Sequence, residues 1–437
     1  MKCLIIAAGQ GTRLRSKSEV KPLIPLLGVP LIERVIRSAM EGGADEFYVV
    51  TGYQGVQVAN FLKQLAKRLN IAITIIQNDD WQKENGFSLL KARDTFTEPF
   101  LLLMGDHLFE PAIIQSLHKQ PLNDGEVLLA VDTDINNPLV DMEDVTKVRI
   151  ENGHILHIGK TIDDFNGFDT GLFLCTPAVF EALDRACKIH NDTTLSAGIQ
   201  VLADEKRAKS VQARGFWIDV DDEKSLQKAE KKLMDSLHSK TNDGPISYWL
   251  NRPVSTRFSK ILVKFNITPN QISLFSFMLS MIAAGLFALG NYGYLALGGI
   301  IAQLASIIDG SDGEVARLKY LSSDYGGWFD AVLDRYADAF LLFGLTWYVY
   351  SQNLSPWVFG VGFLAIIGSF MLSYTADKYD RLMENRIQKG IRLGRDVRVF
   401  LIFLGALLNQ PYPVLIVIAV LMNVETIRRV ISCRNDG

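Results

Sequence analysis

The chain has 437 residues, enough for two domains or more, and its 45 basic and 48 acidic side chains leave a net charge of −3. That balance argues against general nucleic-acid binding. The composition is not uniform: the first half mixes charged and apolar residues as a soluble domain does, whereas long apolar runs dominate after about Ile267. Cys3, Cys175, Cys187 and Cys433 are scattered with no C-x-x-C pair, so free thiols in a reducing compartment are expected.

The opening K-C-L-I-I-A-A-G is too short for a signal-peptide core and reads as a first strand over residues 1–8. G-Q-G-T-R-L (residues 9–14) turns out of it. Glycines there let backbone N–H groups crowd around a phosphate, and Arg13 adds a charge-assisted contact. Many such turns bind nothing, but V-K-P-L-I-P follows at residues 20–25, then a helical pattern over 30–40. A strand (46–51), a helix (57–69) and a strand (71–77) come next, an order that predicts a parallel sheet with helices on both faces. F-L-L-L-M ends in Gly105-Asp106, placing a carboxylate at the carboxyl end of a strand, where open α/β sheets bind ligands. Residues 144–160 read as a hairpin turning at Asn152-Gly153, and residues 168–174 as a further strand.

The pair A-A-G-x-G-T-R-L and K-P-L resembles the sugar-1-phosphate nucleotidyltransferases, whose fold is Rossmann-like. The resemblance implies that Gly9, Gly11, Thr12 and Arg13 grip a nucleotide triphosphate and that Lys21 stabilises charge at its α-phosphate. It also implies a Mg²⁺-binding aspartate at Asp106, with a partner from W-I-D-V-D-D; Asp219 fits, and Asp221 is the alternative. Two carboxylates around one Mg²⁺ (or Mn²⁺) would orient CTP for in-line attack by a substrate phosphate. His107 reads as structural, because an ionised phosphate nucleophile needs no general base. Residues 78–89, N-D-D-W-Q-K-E-N-G-F-S-L, resemble the branch acting on choline phosphate and inositol phosphate. Asn85, Gly86 and Ser88 are thereby candidates for base or ribose contact, against a simple polar turn. T-K-V, I-G-K and D-T-G-x-F resemble the acceptor side of the inositol-1-phosphate cytidylyltransferases. This implies Lys147 and Lys160 at the substrate phosphate and Asp169 at an inositol or sugar hydroxyl; a solvated surface charge is the competing reading of each lysine.

Residues 224–240 read as a charged helix broken by T-N-D-G-P, which places a linker at about 232–245. Ile246, Trp249, Leu250, Val254, Phe258, Ile261, Leu262 and Phe265 then recur at helical spacing, with Arg252, Arg257, Lys260 and Lys264 on other faces. That is the pattern of a helix lying at a membrane surface, despite Pro253, or of one buried against the soluble domain. Apolar segments follow near 270–289, 292–316, 326–351, 356–377, 396–409 and 411–430, most of them long enough for a core needing about 20 helical residues. The fifth is short, and its polar start is expected at the interface. Arg317, Lys319, the basic run 378–398 and Arg428, Arg429 and Arg434 fall on one side, while the opposite connections carry no Lys or Arg. This asymmetry predicts both termini and the active sites on the cytoplasmic side.

Asp309 and Asp312 lie three apart, and Asp330 and Asp334 four apart, so each pair faces one side of its helix. Carboxylates at membrane depth persist where they bind an ion, pair, or line a wet cavity, and this set suits one or two Mg²⁺. Gly313 and Gly326 allow close approach of a ligand, and Arg317 can pair with a phosphate. The bland reading is that these residues merely end two helices. Yet D-x2-D-G-x2-A-R-x8-G-x3-D-x3-D resembles the signature of the CDP-alcohol phosphotransferases at Asp309, Asp312, Gly313, Ala316, Arg317, Gly326, Asp330 and Asp334. The resemblance implies transfer of a CDP-activated group to an alcohol with release of CMP, Gly313, Ala316, Arg317 and Gly326 serving the nucleotide. Asp309, Asp312 and Asp330 would hold metals, and Asp334 would share in ligation or act as general base. Asp338 lies outside the signature and is expected to pair helices or protomers. Arg395 and Arg398 in G-R-D-V-R are candidates to fork onto an acceptor phosphate, or serve only membrane topology.

Together the halves resemble enzymes that fuse an inositol-1-phosphate cytidylyltransferase to a di-myo-inositol-phosphate phosphate synthase. CTP and inositol 1-phosphate would give CDP-inositol and pyrophosphate. CDP-inositol and a second inositol 1-phosphate would give the phosphodiester and CMP, in a homodimer joined through its membrane domain. The expected architecture is an α/β Rossmann-like nucleotidyltransferase domain (1–231), a linker and interfacial amphipathic helix (232–266), and an all-α six-helix transmembrane domain (267–437). Phospholipid headgroup synthesis from another CDP-alcohol is the nearest rival, and a cation transporter with a regulatory nucleotide-binding domain is a rival of another class.

Overall fold

A computed structural model describes residues 1–14, 16–239, 244–382 and 394–434. Its chain divides into two compact units, Met1–Lys232 and Leu233–Gly437.

In the first unit β1 (Lys2–Ala7) leads through the short hairpin β2 (Pro25–Leu26) and β3 (Val29–Pro30) into α1 (Leu31–Glu41). There follow β4 (Glu46–Thr51), α2 (Gly55–Leu69), β5 (Ala72–Gln77), α3 (Asn85–Leu90), β6 (Phe100–Met104), β7 (His107–Phe109), α4 (Pro111–His118) and β8 (Val127–Asp132). The hairpin β9 (Lys147–Glu151) and β10 (His154–Gly159) turns at Asn152 and Gly153, both at positive φ, and β11 (Gly167–Cys175) comes back across the sheet. The unit closes with α5 (Ala178–His190), α6 (Leu195–Asp204), β12 (Ala208–Gln212), β13 (Trp217–Asp219) and α7 (Glu223–Ser239).

The main sheet runs β5-β4-β1-β6-β11-β8-β12-β10-β9. Its first four strands are mutually parallel, but β11 is antiparallel to both β6 and β8. The predicted parallel sheet is therefore a mixed one. Parallel pairing needs a long crossover, usually a helix, and no helix separates β8 from β11. Helices do cover both faces. Cys3, Ile5 and Ala7 of β1 join one core with α1, α2 and α4, while Leu4 joins another with α5 and α6. Such two-sided burial requires the unbroken apolar run seen in β1.

One local expectation changes. Residues 78–89 are not simply a polar turn: α3 forms there because Leu89 is buried and Gly86 fits against the Thr193 carbonyl, where a larger residue would clash. The charged helix expected over 224–240 is α7, which runs unbroken to Ser239 over Glu, Lys, Leu and Ala with no Gly or Pro to stop it, so its last turns overlap the linker expected at about 232–245. Residues 240–243 of that linker, and 383–393 of the basic run, lie outside the described residues.

The second unit is helical. A π-helical turn (Ser247–Asn251) enters α8 (Arg252–Leu262), followed by α9 (Pro269–Ala288), α10 (Tyr292–Leu318), α11 (Asp324–Asn353), α12 (Trp357–Leu382), α13 (Arg395–Leu407) and α14 (Pro411–Arg434). Among the described residues, Pro269–Ala288, Tyr292–Leu318 and Trp357–Ala376 are long and apolar enough to cross a membrane. A capping box between Thr268 and Gln271, with Pro269 in the first turn, fixes the start of α9. In α8 the polar side wins the interior: Arg252, Ser255 and Ser259 are buried, while Phe258 and Ile261, and Trp249 and Phe265 flanking it, are exposed. Arg252 Nη1 and Ser255 Oγ each donate to Glu314 Oε1 of α10 at 2.7 Å, which pins that polar face inward.

Candidate functional site

Each unit has its own cluster of converging acids. In the first, β1 and β6 lie side by side and end together, opening onto a cleft of about 500 Å³. Gly9 and Arg13 line it; Gly11 and Thr12 shape its turn without lining it. Gly11 has φ +60°, and a Cβ there would run into the Lys21 side chain, so the turn and the lysine pack as one piece. Lys21 is 9% exposed; its Nζ lies 2.6 Å from Asp106 Oδ2 and also pairs with Asp221. Burial would lower the Lys21 ammonium, but Asp106, Asp221 and Asp219 hold it above its usual range. Burial likewise would raise the Asp106 carboxyl, yet Lys21 and His107 hold it well below.

His107 stands between the acids, with Nδ1 3.3 Å from Asp106 Oδ1 and Nε2 3.7 Å from Asp219 Oδ2. Burial works against a charged imidazole here, but Asp219 and Asp106 push it up to about 9. Its ring stacks near Trp217, whose Nε1 donates to Asp132 Oδ2 at 2.9 Å and so orients β13. Burial, opposed by His107 and reinforced by Asp106 and Asp221, pushes Asp219 up to about 7. Asp219 Oδ1 is buried with no hydrogen-bond partner. Asp106, His107 and Asp219 each offer an atom within 4.8 Å of the others. A hard divalent cation held by Asp106 and Asp219 fits this donor set, and would satisfy the orphaned oxygen.

The acceptor side holds a residue that sequence reasoning missed. Asp144 Oδ1 accepts from Lys160 Nζ, and its Oδ2 from Arg13 Nη1, each at 2.5 Å. Hydrogen bonds from Lys160 and Arg13 hold its carboxyl down at about 2. Asp169 lines the cleft beside them at an irregularity in β11, with Oδ1 accepting from Gly171 N at 2.7 Å. Burial pushes Asp169 up to about 6, against the pull of that hydrogen bond.

Three further candidates divide. Asn85 lines the cleft, though its Oδ1 accepts from Leu195 N at the start of α6. Ser88 does not line it: the hydroxyl is buried and accepts from Asn78 Nδ2, because α3 turns it inward. Nor does Lys147, whose Nζ lies 5.2 Å from the Phe165 ring centroid, a cation–π position that satisfies it locally.

In the second unit Asp309, Asp330 and Asp334 bring one carboxylate oxygen each within 4.8 Å of the others. Ser276 Oγ donates to Asp309 Oδ1 at 2.9 Å, and Ser273 donates to Asp312. These α9 hydroxyls were also missed; the S-x2-S-x3-S spacing at 273, 276 and 280 was their only signal. Asp330 Oδ1 is buried without a hydrogen-bond partner, the orphan that a divalent ion would satisfy here. Gly313, Ala316 and Arg317 follow on the last turns of α10, and Gly326 N donates to the capping hydroxyl of Ser323 on α11.

Arg395 reaches the centre of this cluster. Its Nη1 lies 2.6 Å from both Asp309 Oδ2 and Asp334 Oδ1, and its Nε 3.3 Å from Asp338 Oδ1. Arg398 differs from expectation. It is 2% exposed and donates through Nη2 to Asp338 Oδ2 at 2.5 Å and to Ser373 Oγ at 3.3 Å, a buried pair that ties α13 to α11. With its charge committed inside the bundle, it is not placed to meet an acceptor phosphate.

Residues 3–154 match the family model of the MobA-like NTP transferase domain, and residues 266–427 that of the CDP-alcohol phosphatidyltransferases. Fold and sites thus define an enzyme with a nucleotidyltransferase unit and a CDP-alcohol phosphotransferase unit, two families that generally use divalent metal ions. The bifunctional IPC transferase and DIPP synthase of Rubrobacter xylanophilus is 34% identical over 98% of this chain and 96% of its own. That of Aquifex aeolicus is 34% identical over 97% and 96%. The chain belongs to this family of bifunctional IPC transferases and DIPP synthases. An archaetidylinositol phosphate synthase of Pyrococcus horikoshii is 32% identical over 41% of this chain and 89% of its own.

Proposed function

We propose that this chain makes CDP-inositol and pyrophosphate from CTP and inositol 1-phosphate, and then di-myo-inositol phosphate phosphate and CMP from CDP-inositol and a second inositol 1-phosphate. The observation that carries this reading is the similarity of nearly the whole chain to relatives named for both activities.

Residues 1–231 perform the first step. Amides of the glycine turn and Arg13 hold the triphosphate, Arg13 leaving Asp144 as it does so, while Lys21 faces the α-phosphate. Mg²⁺, or Mn²⁺ in its place, held by Asp106 and Asp219, supplies charge neutralisation. Lys160 draws in the phosphate of inositol 1-phosphate and Asp169 accepts from a ring hydroxyl. A phosphate oxygen then attacks phosphorus in line, and the protein's work is positioning and electrostatics. Residues 267–437 perform the second step: Asp309, Asp312 and Asp330 would hold Mg²⁺, with Asp334 both sharing in that ligation and taking the acceptor hydroxyl proton as CMP leaves. Gly313, Ala316, Arg317 and Gly326 accommodate the cytidine phosphate, and Arg395 the acceptor phosphate.

The six helices α9 to α14 span the bilayer, with both termini and both sites on the cytoplasmic face; the Lys and Arg asymmetry of the connections supports this. Residues 232–266 include the surface helix, whose exposed Trp249, Phe258, Ile261 and Phe265 suit a lipid headgroup boundary. Protomers pair through the membrane domain.

The test supplies purified protein with Mg²⁺, CTP and labelled inositol 1-phosphate, and follows pyrophosphate, CMP and label. Asp106→Ala should abolish pyrophosphate release, and Asp334→Asn should stall at a water-soluble CDP-adduct. Pyrophosphate with choline phosphate or a sugar phosphate, but not inositol 1-phosphate, would overturn the substrate. Label appearing in the lipid extract would favour phospholipid headgroup synthesis instead.

A further inference from the structure

The second unit holds a line of buried charges longer than its acid cluster needs. Arg398 donates to Asp338, Asp338 accepts from Arg395 Nε, and Arg395 Nη1 is shared between Asp309 and Asp334. Exposure falls along the line, from 18% and 17% at Asp309 and Asp334, through 13% at Arg395, to 3% and 2% at Asp338 and Arg398. Unpaired charges are costly in such surroundings, so the innermost pair is a fixed base and the outer end is where partners can change.

Nη1 sits 2.6 Å from two oxygens that the proposed metal would need. Magnesium binds carboxylate oxygen at about 2.1 Å, and manganese takes similar oxygen sites. A guanidinium nitrogen between those oxygens occupies the space a shared cation requires. The two cations exclude one another at Asp309 and Asp334. Nε, by contrast, is held by Asp338, which is not among the acids assigned to the metal.

We propose that Arg395 is the resident counter-ion of the acid cluster, displaced by the divalent metal while pivoting on Asp338, so that metal binding frees its Nη1 for an anionic acceptor. The inference rests on the metal-site reading given above and adds an order to it. Without metal, Arg395 keeps the carboxylates neutralised and the anion site closed. With metal, the carboxylates change partner and one face of the guanidinium is left to find a phosphate. Metal and phosphate therefore assist one another's binding, as linkage requires of two ligands that favour one arrangement. Asp338 is a positioning residue here: it touches neither ligand, and keeps the displaced arginine at the rim.

The test titrates the full chain in detergent with Mn²⁺ and reads free ion by electron paramagnetic resonance. Every sample carries Asp106→Asn and Asp219→Asn to silence the first unit's site. Arg395→Met should bind Mn²⁺ about tenfold more tightly than the arginine parent, the scale of a charge a few ångströms away in a partly buried site. Arg395→Lys, a milder change that keeps the charge but loses the fork to Asp338, should fall between and serves if the Met variant does not fold. Adding inorganic phosphate should tighten Mn²⁺ binding to the parent and not to Arg395→Met. Equal or weaker Mn²⁺ affinity in both variants overturns the counter-ion while leaving the metal site standing. Absence of Mn²⁺ binding in every form overturns the metal reading and the inference with it.

Discussion

At the scale of single residues, Asp169 illustrates the tension between stability and use. Burial pushes its carboxyl from 3.8 up to about 6, so the folded state holds the proton more tightly than the unfolded chain. Its contribution is therefore most favourable below pH 4 and is lost as pH rises through 6. At pH 8 Asp169→Asn should stabilise the protein by on the order of 1 kcal/mol, since the carboxylate keeps some contact with water. At pH 4 the gain should vanish, while the KM for inositol 1-phosphate rises at either pH. Thermal unfolding at both pH values, alongside pyrophosphate kinetics, checks this. Lys21→Met should lower the first-step kcat by about 10²–10³-fold, with CDP-inositol fed directly still giving CMP. Lys21, Asp106 and Asp219 were legible because each sits in a short motif whose backbone role fixes its place. Asp144 was not, since its partner Arg13 lies 131 residues away and only the folded cleft joins them. Ser88 and Lys147 stand in motifs too, but α3 and the Phe165 ring turn them elsewhere.

Among the elements, most strands and helices of both units fall close to where periodicity placed them, because apolar runs and breakers carry that information locally. Strand direction did not, since β11 gains its antiparallel neighbours from chain routing and not from its own residues. The helix α8 shows the same limit. Periodicity resolved two stripes, but deciding which one meets the bundle required Glu314, a residue 62 positions from Arg252. That carboxylate is wholly buried, so Glu314→Gln removes the charge that Arg252 Nη1 and Ser255 Oγ donate to, and should cost about 3 kcal/mol. Replacing both at once, with Arg252→Met and Glu314→Leu, should cost much less, because no charge is stranded. Denaturant-induced loss of helicity in detergent measures the difference.

For the whole molecule, the joining of two sites in one chain was legible from two independent motif sets, whereas placement relative to a bilayer rests on charge alone. A cysteine-free chain with one cysteine at Asn291 should react with an impermeant maleimide from the face opposite to one placed at Ser239. Labelling of both from a single face would overturn the proposed topology, and Asn291 labelled from the cytoplasmic face with Ser239 from the other would reverse it. Such a result would leave the chemistry of each unit untouched.

The hydroxyls that α9 extends to α10 bear on how the protein is born. Only residues 289–291 separate the two helices, and Ser276 and Ser273 meet Asp309 and Asp312 across their contact. Arg395, the basic partner of Asp309, lies 86 residues further along. A ribosome therefore completes the carboxylates of α10 well before their arginine exists. Under the proposed topology α9 and α10 enter the bilayer as a hairpin that carries its own hydrogen-bond donors for those acids, before Arg395 is made.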